Sequence, residues 1–108
     1  MIFQIESGFG LMKVVGVDEI GAARVWHVKA YRDLFLDVET ADLAAAIPES
    51  LTSEIPHVAM TDRAFESTQV SRISRVDVTP EESESVETWR AAGGGVTDRS
   101  VRLLLGLR

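Results

Sequence analysis

The sequence predicts a small, β-rich α+β domain that occupies residues 1–108 as a single unit, and three observations support this prediction. Two Val-rich stretches, 9–18 and 23–32, alternate in polarity and are separated by a few residues that include Gly21. Later in the chain, "VTPEE" has the composition of a helix start and "GGG" that of a helix stop. With 45% hydrophobic residues, a chain of 108 residues is long and apolar enough to form one core.

The two Val-rich stretches are expected to form an antiparallel hairpin. Alternation in the second stretch places one set of side chains on each face of the sheet: Trp26, Val28 and Ala30 against Val25, His27, Lys29 and Tyr31. Gly21 suits a hairpin loop of three to five residues. A short edge strand at "FQI" and two further stretches, "HVAM" at 57–60 and "QVSRISRVDV" at 69–78, bring the expected number of strands to about five.

The clearest helix of the sequence is expected at about 80–92. Thr79 is its N-cap, and Pro80 occupies a position where a missing N–H has no cost. The glutamates that follow favour the positive end of the helix dipole. Because Glu82 lies three residues after Thr79, the sequence also has the spacing of a capping box.

Both tryptophans lie on the apolar faces of their predicted elements. Val86 and Trp89 form the inward stripe of the helix, and the glycines 93–95 end it. Trp26 lies on the apolar face of the second strand. We therefore expect both indoles to be largely buried.

Two segments are compatible with more than one conformation. Within 37–56, Thr40 suits the N-cap of a short helix, but the acidic content of the segment suits a mobile loop equally well. The segment 97–108 alternates as a strand does, and it also aligns its apolar residues as a helix does. Thr97, followed by Asp98, favours a turn or a short helix there.

A Thr-Asp-Arg triplet occurs twice, in "MTDRAF" at 60–65 and in "VTDRSV" at 96–101. In each copy the triplet follows an apolar stretch and precedes a potential helical turn. A threonine or aspartate oxygen in that position accepts a backbone N–H, and the arginine is free to pair with a neighbouring carboxylate. Phe65 and Val101 are then expected to enter the core. We interpret the repeat as two capped turns in preference to a catalytic pair.

Negative charge is concentrated in two stretches that contain no Lys or Arg. The net charge is −6, and the stretches 37–54 and 77–87 together hold ten acids, whereas the rest of the chain holds 11 bases and 7 acids. Nucleic-acid binding requires a basic surface, so no nucleic-acid partner is expected. The acids suit a protein partner with a basic surface, because opposite fields steer association. The alternative is that they form ordinary solvated faces.

Motifs of catalytic or metal chemistry are not found in the sequence. The absence of cysteine excludes thiolate metal sites, disulfides and cysteine nucleophiles. His27 and His57 lie thirty residues apart and lack the i,i+4 spacing of a zinc site, even with Asp62 added. Neither "GFG" nor "GGG" has the position relative to a helix that a phosphate loop requires. No catalytic residue, metal or cofactor is therefore expected.

The N-terminal residues indicate the compartment. "MIFQIESGFG" lacks the basic region and the apolar run of a signal peptide. The apolar runs of the chain are only a few residues long, far short of a membrane span. The sequence therefore predicts a cytoplasmic protein without a membrane partner.

Several stretches resemble small uncharacterised bacterial proteins: the "GFG" strand, the "VWHV" strand, the strand "HVAM" with its Phe-bearing turn, and the capped helix with its Trp. The Gly-Phe-Gly-to-strand pattern is similar to that of the SH3-like barrels of the polymorphic-toxin immunity class, such as the immunity protein 26 group. The resemblance covers most of the chain in outline. It implies that the strands curl into an SH3-like partial barrel with the helix packed on it. It also implies binding and neutralisation rather than catalysis.

The sequence therefore favours a non-enzymatic protein-interaction module, in the form of an immunity-type antitoxin that covers a basic partner with its acidic segments. The acids expected to contact this partner are Asp37, Glu39, Asp42, Glu81, Glu82, Glu84 and Glu87. Two alternatives stay open. One is a small-ligand or hydrolytic site in the barrel around His27, Tyr31 and His57. The other is an accessory subunit of a larger bacterial assembly.

Overall fold

In the computed structural model, helices pack on both faces of an antiparallel β-sheet. The structure describes residues 1–5, 8–67, 70–71 and 77–106. The strands are β1 (Ile2–Ile5), β2 (Gly8–Ile20), β3 (Ala23–Phe35), β4 (Ser53–Thr61) and β5 (Val70–Ser71). The helices are α1 (Val38–Ala45), α2 (Asp62–Ser67), α3 (Pro80–Ala91) and α4 (Val101–Leu104), with a 3₁₀ turn at Pro48–Ser50.

The strands have the spatial order β4-β3-β2-β1-β5, and all neighbours are antiparallel. Strands β1 to β4 form the body of the sheet, since β5 contributes two described residues. Within the described residues no pairing joins β4 to β5, so the sheet is open there. The prediction of a small α+β domain with a helix near its C-terminus is confirmed. Of the predicted strand 69–78, residues 72–76 and residue 69 lie outside the described residues.

Strands β2 and β3 form the long hairpin that their alternation predicts. Pairing extends from Phe9 opposite Phe35 to Ile20 opposite Ala23. The loop between them has two residues rather than three to five. Gly21 permits this tight turn because it adopts a φ of +64°, which a glycine reaches without steric cost.

One face of the sheet is covered by α2 and α4. The buried side chains of this face form one cluster, made of Phe3, Met12, Val28, Ala30, Met60, Ala64, Phe65 and Val101. Phe65 and Val101 enter this cluster from the two Thr-Asp-Arg turns, as the repeat predicts. Trp26 packs on the cluster with its ring stacked on Phe65, at 4.0 Å between the ring centroids.

The opposite face is covered by α1 and α3. Helix α1 and the sheet share an apolar cluster here, made of Ile2, Leu11, Tyr31 and Ala41. Helix α3 places Glu82 on Lys13 and Lys29, which lie opposite each other on β2 and β3. Because Leu11 and Lys13 are two positions apart on one strand, they point to the same face. Both acidic helices therefore lie on the same side of the sheet.

The predicted start of α3 is confirmed atom by atom. Thr79 Oγ1 accepts the N–H of Glu82 at 3.2 Å, and Glu82 Oε1 accepts the N–H of Thr79 at 2.9 Å. These reciprocal bonds are a capping box. The helix buries Val86 against the sheet and ends at Ala91, one residue before the predicted end.

The first acidic segment forms a short helix rather than a loop. Asp37, not Thr40, is its N-cap, and the Asp37 carboxylate accepts the Thr40 N–H at 2.7 Å. Helix α1 turns Ala41 towards the sheet, while Leu43 stays 72% exposed. The larger apolar residues of this helix are therefore outside the core.

Both tryptophans are half-buried, in contrast to the prediction that they are largely buried. The polar N–H of each indole accounts for this position, because it needs a hydrogen-bond partner near the surface. Trp26 Nε1 donates to Asp62 Oδ1 at 2.5 Å, and Trp89 Nε1 donates to the Gly95 carbonyl at 2.8 Å.

Candidate functional site

His27 and His57 meet on the face of the sheet that α3 covers. His27 Nδ1 lies 2.9 Å from His57 Nε2, and His27 Nε2 lies 3.2 Å from Asp18 Oδ2. His27 is fully buried, whereas His57 is half-buried. The three residues thus form a hydrogen-bonded chain, the Asp18–His27–His57 chain, with the buried His27 in the middle and a partly exposed residue at each end.

A β-bulge in β4 lies beside His57. The register of β4 against β3 shifts by one residue, so that Pro56 and His57 together stand opposite Lys29. A bulge bends its strand locally and redirects the side chains that it carries. Pro56 is tolerated there because β4 lies at the end of the sheet, where a strand loses no ladder bond to an outer neighbour.

Arg90 of α3 binds the carboxylate of Asp18, at the opposite end of the Asp18–His27–His57 chain from His57. Arg90 Nε donates to Asp18 Oδ2 at 3.1 Å, and Arg90 Nη2 donates to Asp18 Oδ1 at 2.5 Å, which makes a bidentate pair. The hydrogen bond from Arg90, with a smaller contribution from His27, outweighs burial and lowers the pKa of Asp18 to about 2. Asp18 is therefore ionised at neutral pH and only accepts hydrogen bonds.

The environment of His57 favours its neutral form. Burial, and after it the positive charge that His27 takes when protonated, lowers the pKa of His57 below its usual range. Trp89 and His27 pack in a T-shaped arrangement, at 4.6 Å between the ring centroids. His57 therefore stays neutral to a lower pH than an exposed histidine does.

Tyr31 is not part of this site. The sequence groups it with the two histidines, but the structure places its ring in the apolar cluster under α1. Burial, with a smaller effect of the negative charge of Glu82, raises the pKa of Tyr31 to about 12. Tyr31 is therefore a core residue that stays protonated.

Glu82 is a buried counter-ion for two lysines. Lys13 Nζ lies 2.7 Å from Oε1 and Lys29 Nζ lies 3.1 Å from Oε2, and the Glu82 side chain is 6% exposed. Burial would raise its pKa, but hydrogen bonds from Lys13, the Thr79 N–H and Lys29 lower the pKa of Glu82 to about 2. Glu82 is thus inaccessible from the surface, although the sequence places it among the partner contacts.

The other acids expected to contact a partner lie at the surface. Glu39, Asp42, Glu81 and Glu84 are exposed. Two further exposed acids also have roles within the fold: Asp37 caps α1, and Glu87 pairs with Arg90.

Exposed apolar side chains accompany the first acidic stretch. Ten large hydrophobic side chains of the described residues are exposed, and half of them lie within 34–47: Leu34, Leu36, Val38, Leu43 and Ile47. Leu36 is 87% exposed. Acids alternate with them, and no Lys or Arg occurs between Arg32 and Arg63. We call residues 34–49 the apolar-acidic segment. No pattern in the sequence distinguishes this surface, because the same spacing of Leu43 and Ile47 also suits a core-facing stripe.

The two Thr-Asp-Arg copies bind each other. Thr61 Oγ1 donates to Asp98 Oδ1 at 2.6 Å, and Arg63 pairs with the other oxygen of Asp98. Thr61 Oγ1 also accepts the Ala64 N–H at 3.1 Å and so caps the turn that begins α2. In the second copy, Thr97 Oγ1 accepts the N–H two residues later, but the N-cap of α4 is Ser100 and not the predicted Thr97. These contacts agree with a structural role for the repeat.

No family model, curated protein or solved structure matches the chain. In the described ranges, no group of three or more His, Asp or Glu side chains is arranged to hold a metal ion. No helix among the described residues is both long enough and apolar enough to cross a membrane.

Proposed function

We propose that the protein is a protein-interaction module that docks a basic protein partner on the apolar-acidic segment. The observation that supports this proposal is the coincidence, within one short segment, of half of the exposed large hydrophobic side chains with acids and no base. Exposed apolar groups that cluster within a polar surrounding are typical of protein–protein interaction sites.

The two kinds of side chain have different roles in this proposal. Leu36 and Leu43, the most exposed of the apolar set, lose water contact on docking and so supply affinity. Glu39 and Asp42 lie between them in the sequence and set the sign of the field that the partner meets. Exposed charges of this kind act mainly on the association rate.

Charge complementarity favours a basic partner over a second copy of this chain. Helix α3 lies on the same side of the sheet as α1, so its exposed Glu81 and Glu84 add to the negative field. A symmetric dimer would bring the same acidic surface of two copies together. Like charges in such an interface would repel, whereas Lys and Arg of a partner would be attracted.

An immunity-type antitoxin is the form of interaction module that the sequence resemblance implies, with a basic toxin as the partner. An accessory subunit of a larger bacterial assembly is the other form. The SH3-like partial barrel likewise stays a prediction. The identity of the bound partner separates the two forms. A single toxin would indicate an antitoxin, whereas several subunits of one assembly would indicate an accessory subunit.

The test compares Leu43→Ser with a matched control, Leu103→Ser. Leu103 is similarly exposed, at 66%, but belongs to α4 on the other side of the sheet. Neither substitution is expected to change the free energy of unfolding by more than about 0.5 kcal/mol, because both side chains are at the surface. The protein that co-purifies with the parent chain is identified by mass spectrometry, purified, and its affinity for the three chains is measured.

We expect Leu43→Ser to weaken binding by about tenfold, the effect of losing one well-placed apolar contact, and Leu103→Ser to leave binding unchanged. Equal affinity of the parent and both variants would refute docking on this segment. Self-association as the sole interaction, seen by sedimentation, would refute the basic partner.

A further inference from the structure

The Asp18–His27–His57 chain determines which ring nitrogens carry protons. Asp18 is ionised and only accepts, so the His27 nitrogen that faces it, Nε2, is the one that bears a hydrogen. With both rings neutral, His27 Nδ1 is then an acceptor. His57 Nε2, which faces it at 2.9 Å, must be the donor. The lone pair of His57 therefore lies on Nδ1.

His57 is positioned to use this lone pair. Its ring is half-buried while His27 is enclosed, and in the described part of the chain no hydrogen bond is made to His57 Nδ1. A neutral imidazole in a fixed tautomer is a competent nucleophile. In a Ser–His–Asp triad, a histidine orients the serine hydroxyl and a carboxylate orients the histidine. The Asp18–His27–His57 chain has the same arrangement, with an imidazole in place of the hydroxyl.

We propose that His57 is the nucleophile of an acyl-transfer site for small neutral esters, independently of the docking surface. His57 Nδ1 forms a bond to the carbonyl carbon, and the bond from that carbon to the leaving oxygen breaks, so that the oxygen departs with the electron pair. The His57 Nε2 proton passes to His27 Nδ1. The acyl-imidazole is thereby neutral, and the positive charge rests on His27 beside Asp18.

Hydrolysis restores the site. Water adds its OH to the acyl carbon, and the electron pair of the carbon–nitrogen bond returns to His57 Nδ1. His27 gives its proton back to His57 Nε2. The remaining proton of the water goes to the departed oxygen in solution. His57 is the catalytic residue in this sequence, and His27 is a positioning residue that accepts a proton.

The charges around the site favour a neutral electrophile over an anionic one. The described cations on this face are already paired, Arg90 with Asp18 and Glu87, and Lys13 and Lys29 with Glu82. A phosphoryl or carboxylate group would thus meet no unpaired cation in the described part of this face. It would instead meet the negative field of α1 and α3. A neutral ester avoids this cost.

The probe is p-nitrophenyl acetate, which releases a coloured phenolate when the imidazole is acylated. We expect the parent chain to release it at least about tenfold faster than His57→Gln, and acid-quenched samples to contain the acetyl group on His57. Glutamine keeps an N–H donor for His27 but supplies no nucleophile. Equal release by the parent and His57→Gln, or acetyl label only on lysines or the N-terminus, overturns the proposal.

The transfer of the His57 Nε2 proton to His27, which we call the proton relay, is tested separately. The charged and titratable groups that face His27 are Asp18 from β2, His57 from β4, and Arg90 with its partner Glu87 from α3. Glutamine at position 27 accepts from His57 and donates to Asp18, but it takes up no proton. We expect His27→Gln to lower the acylation rate by about 100-fold, the lower end of what a proton-accepting side chain contributes.

If His27→Gln does not fold, Arg90→Gln still tests the relay. The Arg90 side chain is 42% exposed, so its substitution is expected to disturb folding less. Without Arg90 one positive charge beside the Asp18–His27–His57 chain is lost, which favours protonation and moves the inflection of the pH–rate profile to higher pH. Two-bond ¹H–¹⁵N spectra at high pH are expected to show both rings protonated on Nε2. An unchanged pH profile in Arg90→Gln, or His57 protonated on Nδ1, overturns the relay.

Discussion

Thr61 of the first Thr-Asp-Arg triplet donates a hydrogen bond of 2.6 Å to Asp98 of the second. A motif that occurs twice in the sequence is thus a pair of mutually binding turns. The backbone adds to the contact, because the Thr61 N–H donates to the Thr97 carbonyl at 3.0 Å. The pairing joins the C-terminal segment to β4.

We expect Asp98→Asn to lower the urea midpoint of unfolding. Hydrogen bonds from Thr61, and then from Arg63, lower the pKa of Asp98, so the ionised carboxylate is the form that stabilises the fold. A carboxylate with a lowered pKa stabilises above its ordinary pKa of 3.8 and loses this effect as pH falls. The control is Glu49→Gln, which removes an exposed charge outside the two Thr-Asp-Arg turns. An equal midpoint for both variants would contradict the prediction.

Thr79→Ala is expected to destabilise the protein by about 1 kcal/mol, because it removes the acceptor of the Glu82 N–H at the start of α3. The measurement is the free energy of unfolding in urea. Thr88→Ala, at an exposed position within the same helix, is the matched control and should be neutral or slightly stabilising. A cost in the control as large as in Thr79→Ala would show that the cap has no special effect.

Glu82→Gln is expected to cost about 3 kcal/mol, because it leaves Lys13 and Lys29 without their buried counter-ion. Glu84→Gln on the exposed side of α3 should change stability by less than about 0.5 kcal/mol. The pKa of Glu82 is lowered from 4.5 to about 2, so its stabilising effect is complete above 4.5. It should be lost as pH falls from 4.5 towards 2, and the acid transition of Glu82→Gln should lack this component. An acid transition identical to that of the parent would exclude the buried ion pair.

His57 is expected to make stability sensitive to mild acid. Its pKa is lowered in the folded protein, so the unfolded chain binds its proton first as pH falls below the ordinary value of 6.5. Stability should therefore decrease from about pH 7 to about pH 5, and His57→Gln should reduce this decrease. Urea unfolding of both chains over this range is the measurement. The prediction fails if the two chains show the same pH slope.

Glu39→Gln combined with Asp42→Asn is expected to slow association with the basic partner at low salt and to leave dissociation nearly unchanged. Exposed charges act by steering, which salt screens over a Debye length of about 8 Å at physiological ionic strength. Glu19→Gln combined with Glu66→Gln removes two exposed acids outside the segment and is the control. Association rates that are equal for all three chains and insensitive to salt would identify the acids as an ordinary solvated face.

Local signals account for the parts of the fold that the sequence predicts. The hairpin of β2 and β3 depends on alternation and on Gly21, and the start of α3 depends on Thr79 and the residues that follow it. Each of these signals lies within a few residues of the structure that it specifies. They hold in the structure because the global fold agrees with the local preference.

The candidate site depends on long-range geometry that no local signal contains. His27 and His57 meet because β4 pairs with β3 in the register that sets Ala59 opposite His27, and His57 lies two positions from Ala59 on the same face. In α1, small Ala41 approaches the sheet closely and so turns Leu43 outwards, although a helical pattern favours burial of the larger residue. Glu82 satisfies a local capping pattern, yet its burial comes from two lysines on distant strands.

The binding of the second triplet to β4 also shields the outer edge of the sheet. Thr97 donates to the Ala59 carbonyl at 2.9 Å and accepts from the Thr61 N–H, so two outward-facing backbone groups of β4 are already used. Pro56, further along the same strand, has no N–H that could bond to a strand of another chain. An unpaired edge of this length would be a template for strand addition by another chain, and with it for aggregation. The second triplet thereby reduces the length of β4 edge that is open to pairing with another chain.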